Sequence, residues 1–190
     1  AAQNSTTFPY SSNYWTTANT LNESSVDLSA SDSKFTTFNK LQGSDLLAIF
    51  PDVSTTSFGA TERGSIDGHN YGWTWKATIP GGPKTALSLF SGSSNQSLGD
   101  PLTFDGWNGS VFSSQSGFKW YGFNYTSSSQ PLKTRWGFGW NNEGDQGSND
   151  VSGGIGLDTS ARSFSAGDVI NCCQWHTGLN RSMAVQVFIR

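Results

Sequence analysis

The only two cysteines of the chain are neighbours, Cys172 and Cys173. They open the run Gln174-Trp175-His176-Thr177-Gly178-Leu179-Asn180-Arg181-Ser182. An amide, an indole, an imidazole and a guanidinium so close together form a dense set of directional groups. The thiols have three states open to them: free, bridged to each other, or bridged to another molecule. In an oxidised monomer they can pair only with each other. Consecutive Cα atoms lie about 3.8 Å apart across a trans peptide, whereas an ordinary disulfide spans roughly 4.4–6.8 Å. A vicinal bridge is therefore a strained ring that closes almost no loop. Such strain persists where surrounding structure over-determines it, typically at functional sites. The expected use is a stiff apolar plate against which a ligand packs, with Trp175 beside it. His176 lacks the partners of a zinc ligand: the other histidine is His69, and no H-x-x-H or C-x-x-C spacing occurs. Its expected role is hydrogen bonding in a surface loop.

A second set of groups lies in Asn141-Asn142-Glu143-Gly144-Asp145-Gln146-Gly147-Ser148-Asn149-Asp150. Ca²⁺ takes about six to eight oxygens from carboxylates, amide and backbone carbonyls and water. The candidate ligands are Asn141, Glu143, Asp145, Asn149 and Asp150. The loop lacks the EF-hand pattern, so a solvated, turn-rich loop is the competing reading. Carboxylates also raise hydrolysis. Glycosidases commonly use two, about 5–5.5 Å apart when retaining. Glu62 and Glu143 are the candidates, on separate segments that a sandwich could bring together. Neither sits in the middle of a convincing strand. No G-x-S-x-G elbow or triad signature occurs. The expectation is a binding protein rather than an enzyme.

The elements that would position these groups read as β-structure. Gly, Ser, Thr and Asn dominate the polar residues, Phe (13) and Trp (8) are abundant among the apolar ones, and Met occurs once and Glu three times. Such chains build sheets joined by turns. Tyr71–Ile79 alternates cleanly and Pro80-Gly81-Gly82-Pro83 turns the chain, so Thr85–Phe90 is expected as the return strand of a hairpin. Leu46–Phe50 fits one buried strand. Phe118–Tyr125 and Leu132–Trp140 are expected strands, the second with Trp136, Phe138 and Trp140 on one face and Arg135, Gly137 and Gly139 on the other. Asn141–Gly154 reads as a loop, Ile155–Leu157 and Val169–Cys172 as short strands, and Met183–Ile189 as a closing strand buried in the sheet. Residues 26–40 could hold one helical turn. Most tryptophans are expected in the core, while Trp140 and Trp175 can offer a flat face to a sugar ring. The expected fold is all-β: a single antiparallel β-sandwich over 1–190, jelly-roll-like, with long loops and little helix. Residues 1–34, polar with isolated aromatics, read as an extended N-terminal arm.

Composition narrows the partners. Charged residues are 13 % of the chain, the net charge is −3, and lysines and arginines are scattered singly. No basic cluster exists to neutralise phosphates, so nucleic acid is not expected. No apolar run approaches the roughly 20 residues of a membrane span. The Ser/Thr/Asn-rich, aromatic character suits an extracellular or cell-surface protein.

The C-terminal third resembles the ligand-binding, lectin-type domains of large RTX-type bacterial surface adhesins. The residues that carry the resemblance are Arg135-Trp136-Gly137-Phe138-Gly139-Trp140-Asn141, Asn149-Asp150-Val151-Ser152-Gly153-Gly154-Ile155-Gly156, and Ser165-Ala166-Gly167-Asp168 leading into Cys172-Cys173. It covers about 55 residues and leaves the N-terminal 130 without a match. It implies a Ca²⁺-bound lectin in which the ion holds vicinal sugar hydroxyls, with Asp145, Asn149 and Asp150 as the first ligands to test. Together these readings give a secreted module that binds glycans or glycoconjugates on a cell surface. Its sugar site would comprise Cys172, Cys173, Gln174, Trp175, His176, Asn180, Arg181 and Trp140. The competing readings are a small polysaccharide hydrolase and a structural or receptor-binding unit of a viral fibre or surface appendage.

Overall fold

The computed structural model describes residues 2, 5–50, 73–92, 96–99, 119–126, 132–140, 151–159, 162–170 and 181–190. They form an all-β, sandwich-like fold of antiparallel sheets with two one-turn helices. The strands are β1 (Gln42–Gly43), β2 (Asp45–Phe50), β3 (Trp73–Thr78), β4 (Lys84–Thr85), β5 (Gln96–Gly99), β6 (Lys119–Thr126), β7 (Lys133–Trp140), β8 (Val151–Asp158), β9 (Ser163–Ile170), β10 (Arg181–Ser182) and β11 (Gln186–Ile189). The helices are α1 (Thr36–Lys40) and α2 (Ala86–Phe90). α1 falls where one helical turn was expected.

A small sheet runs in the order β11-β2-β3. In β2, Leu46, Ala48 and Phe50 are buried while Leu47 and Ile49 are half-buried, so the apolar run turns one full face to the core. Trp75 of β3 stands opposite Ala48. The closing strand differs from expectation. Pairing begins at Gln186 rather than Met183, and β11 lies at the edge of its sheet with Phe188 exposed. Met183, Ala184 and Val185 are buried ahead of it. The return strand expected at Thr85–Phe90 is instead α2. Its apolar residues Ala86, Leu89 and Phe90 are spaced i, i+3, i+4 and are all buried, which is a helical pattern. The Thr85 hydroxyl caps it by accepting from the Ser88 amide at 3.0 Å.

The large sheet is a meander, β5-β6-β7-β8-β9-β10. β8 starts at Val151 and β9 spans Ser163–Ile170, both longer than expected, so Gly153 and Gly154 belong to the sheet rather than to a loop. Tyr121, Phe123, Trp136, Phe138, Ile155 and Ala166 join the small sheet and α2 in one core. Gly153 pairs with Phe138, whose ring occupies the space a side chain would need. A Cβ there would lie 2.7 Å from Phe138 Cζ and 3.2 Å from the Gly167 carbonyl oxygen. Gly153→Ala should therefore cost about 2 kcal/mol through forced repacking, measurable as a lower urea midpoint with an unchanged slope.

One row of this sheet breaks the alternation. Phe123, Trp136, Ile155 and Ala166 pair across four strands and face the main core. Two residues along, Tyr125 and Leu157 belong to a separate cluster with Trp120 and Leu132, and Phe164 packs against it. Strict alternation would have kept both rows on one face. The row between them contains Asn124 (φ 55) and Gly156 (φ 63) in the left-handed region. The result is that Asn124, Arg135 and Ser165 also point inward. Asn124 Nδ2 donates to the Leu89 carbonyl at 2.9 Å and Arg135 Nη1 to the Phe90 carbonyl at 2.8 Å. Arg135 was expected on the face opposite Trp136, and the reversal turns it into the interior instead.

Candidate functional site

Most of the expected sugar site lies outside the described residues. This holds for Cys172, Cys173 and their bridge, for Gln174, Trp175, His176 and Asn180, and for the candidate ligands Asn141, Glu143, Asp145, Asn149 and Asp150. Glu62 lies outside them as well. What is described is the frame. Lys119, Trp140, Val151 and Ile170 pair in one row across β6, β7, β8 and β9. Segment 141–150 joins Trp140 to Val151, and segment 171–180 leaves from Ile170 beside it and returns at Arg181, opposite Asp168. Trp140 and Ile170 are two strand spacings apart, about 10 Å. The register thus attaches the oxygen-rich segment and the cysteine segment to the same end of the sheet. Trp75 packs on Trp136 and Phe138, at 5.8 and 6.3 Å between ring centroids. Among the described residues no three His, Cys, Asp or Glu side chains converge as a metal site would require.

A second feature was not expected from the sequence. An apolar cleft of about 310 Å³ opens between the N-terminal segment and α1 on one side and β11 on the other. Phe8, Trp15, Phe38, Leu46, Val187 and Ile189 contribute to its walls. The N-terminal segment holds its wall by long-range bonds. Ala2 exchanges two backbone hydrogen bonds with Val185, at 2.8 and 2.9 Å. The Ser165 amide donates to the Ser5 carbonyl at 2.8 Å, and Arg135 Nε donates to the Tyr10 carbonyl at 3.0 Å. Trp15 Nε1 donates to the Pro9 carbonyl at 2.7 Å, while its ring packs 5.2 Å from Phe90. The isolated aromatics Phe8, Tyr14 and Trp15 were the available signal, but their partners lie up to 157 residues away.

Lys34 is the cation of this region. Its Nζ donates to the Tyr14 and Thr17 carbonyls at 2.6 Å each and stands 4.8 Å from the centre of the Phe38 ring. Burial pushes its pKa down from 10.5 to about 8. A neutral amine keeps two N–H donors, enough for both carbonyls. Between about pH 8 and 10.5 the unfolded chain holds more of this proton than the folded one, so the stability contributed by this group rises with pH across that window and is flat below it. The melting temperature of the wild type relative to Lys34→Met should therefore climb from pH 8 to pH 10. A difference that stays constant over this range would contradict the depressed pKa.

The chain matches no family model, no curated protein and no solved structure. The functional reading therefore rests on its own residues.

Proposed function

We propose that this chain is an extracellular carbohydrate-recognition module whose site is assembled at the Trp140–Val151–Ile170 end of the large sheet. The observation that supports the reading is the strand register, which attaches segments 141–150 and 171–180 side by side. Trp175 and a Cys172–Cys173 plate would give the apolar side of a shallow pocket, and Gln174, His176, Asn180 and Arg181 the hydrogen bonds. Asn141, Glu143, Asp145, Asn149 and Asp150 supply the oxygen chemistry that suits Ca²⁺. Rigid strands holding variable connections are a common way to present a binding surface. No proton transfer is needed for adhesion.

The test is a glycan array probed with the pure protein in Ca²⁺ and again in EDTA. Selective binding that EDTA abolishes is the expected result. Binding indifferent to EDTA would keep the lectin and discard the ion. Cleavage of soluble polysaccharide, lost in Glu62→Gln, would replace the reading with a hydrolase. Concentration-dependent assembly without saturable sugar binding would replace it with a structural unit. Reduction offers a further prediction: it should weaken sugar binding several-fold while shifting the melting temperature little, because the vicinal ring constrains so short a loop. A large drop in melting temperature with unchanged binding would contradict the plate.

A further inference from the structure

β11 is an edge strand whose outer side opens into the apolar cleft. Arg190 and Asp45 exchange two backbone bonds, Arg190 N to Asp45 O and Asp45 N to Arg190 O, both at 2.9 Å. In an antiparallel pair such doubly bonded partners alternate with pairs whose groups point away. The register Ile189↔Leu46, Phe188↔Leu47, Val187↔Ala48 and Gln186↔Ile49 then directs the amides and carbonyls of Phe188 and Gln186 toward β2. Those of Ile189 and Val187 face the other way, into the cleft. Val185 follows the same parity, and its two outward groups are taken by Ala2. Among the described residues nothing takes those of Val187 and Ile189.

The surroundings favour an extended chain. Gln186, Val187, Phe188 and Ile189 all line the cleft in succession, as an open strand edge does and a single strand face does not. Thr37, Phe38 and Leu41 of α1 and its cap form the opposite wall. Phe188 and Leu41 line the cleft and are 41 % and 46 % exposed, which is unusual for large apolar residues among the described ones. An alkyl chain could fill the apolar volume but would leave two donors and two acceptors of the edge unmet. A peptide backbone meets both needs at once.

We infer that this cleft is a peptide-docking site, which takes an extended segment of a partner protein as an added strand on β11. The Ala2–Val185 pair is the same mode of contact already made at one end of the edge. The guest strand would continue the row past Val187 and Ile189. Its alternate side chains would be apolar and enter the cleft toward Phe8 and Phe38, and those between them would be polar and face solvent. This site is separate from the proposed sugar site, and neither depends on the other.

The test uses a panel of fluorescent, N-acetylated and C-amidated pentapeptides in which Thr alternates with Val, Ile, Leu or Phe. Fluorescence polarisation is read against the intact chain. At least one peptide should bind saturably. Methylating its alternate backbone nitrogens should weaken binding at least tenfold, because the side chains remain and only the ladder is lost. Leu41→Glu and Phe188→Glu, at exposed positions, should each weaken binding about tenfold with unchanged circular dichroism. Val187→Pro, which removes an outward amide, should do the same where it folds. The amide resonances of Val187 and Ile189 should move on titration in any case. Absence of saturable binding across the panel would overturn the inference, as would equal binding of the methylated peptide. Dimerisation that the two glutamate variants abolish, without peptide binding, would also overturn it and give the edge to a second copy of the chain.

Discussion

Trp75→Ala should lower stability by about 4 kcal/mol, the range for deleting a buried tryptophan. For a domain of this size that corresponds to a melting temperature lower by about 12 °C. Trp75 is 1 % exposed and its ring joins the two sheets. It lies 4.7 Å from Phe50 within the small sheet and 5.8 and 6.3 Å from Trp136 and Phe138 of the large one. Leu46, Ala48 and Phe50 share the core with Trp136 and Phe138, and Trp75 is the largest side chain of the small sheet in it, so its removal leaves a cavity at the contact between the sheets. Urea unfolding with intrinsic fluorescence measures the loss. A change below about 1 kcal/mol, the range of an ordinary substitution, would mean that the sheets are not packed through this ring.

Arg135→Met is expected to cost about 3 kcal/mol. The methionine replaces the apolar stem, so little cavity forms. The loss comes from the Phe90 and Tyr10 carbonyls and Asn124 Oδ1, which accept from the guanidinium at 2.8, 3.0 and 3.3 Å. Stranding a buried acceptor costs about 1–3 kcal/mol. Removing the charge recovers its own desolvation cost, and that recovery keeps the net effect below the sum. Burial pulls the guanidinium down from its ordinary pKa, while Tyr10 and Asp158 act in the opposite sense. The guanidinium also lies 3.9 Å from the centre of the Tyr10 ring. Because Arg135 ties the N-terminal segment and α2 to the sheet, the variant should also speed amide exchange at Phe8 and Trp15 before global unfolding. Arg135→Lys should recover only part of the loss, since one ammonium cannot reach as many acceptors as the planar fork. Equal exchange in wild type and Arg135→Met would contradict the clasp.

The contrast between these two residues explains how much the sequence revealed. Trp75 sits in a cleanly alternating strand, and its burial follows from local pattern. The same holds for Trp136, Phe138, Leu46 and Phe50. α2 was legible in principle, because Ala86, Leu89 and Phe90 carry helical spacing, but the preceding Pro-Gly-Gly-Pro turn suggested a hairpin. Arg135 was not legible. Its inward orientation depends on left-handed backbone at Asn124 and Gly156 in the two neighbouring strands, and nothing next to Arg135 in sequence signals it. The cleft was hidden for a similar reason. Most of its walls come from residues 2–41 and 185–189, at opposite ends of the chain, with Leu46, Ala86, Ile155 and Ser165 from between them. Of the sugar site, the sequence supplied the chemical groups, and the strand register supplied their common point of attachment. The contacts among those groups lie outside the described residues.

The most direct measurement of the central claim is an amide chemical-shift titration of the labelled protein with a glycan selected on the array, in the presence of Ca²⁺. Binding at the proposed end should shift Trp140, Val151, Ile170 and Arg181, the residues from which segments 141–150 and 171–180 depart, and should leave Val187 and Ile189 unmoved. Shifts confined to Val187, Ile189 and the walls of the cleft would place the sugar elsewhere and contradict the account.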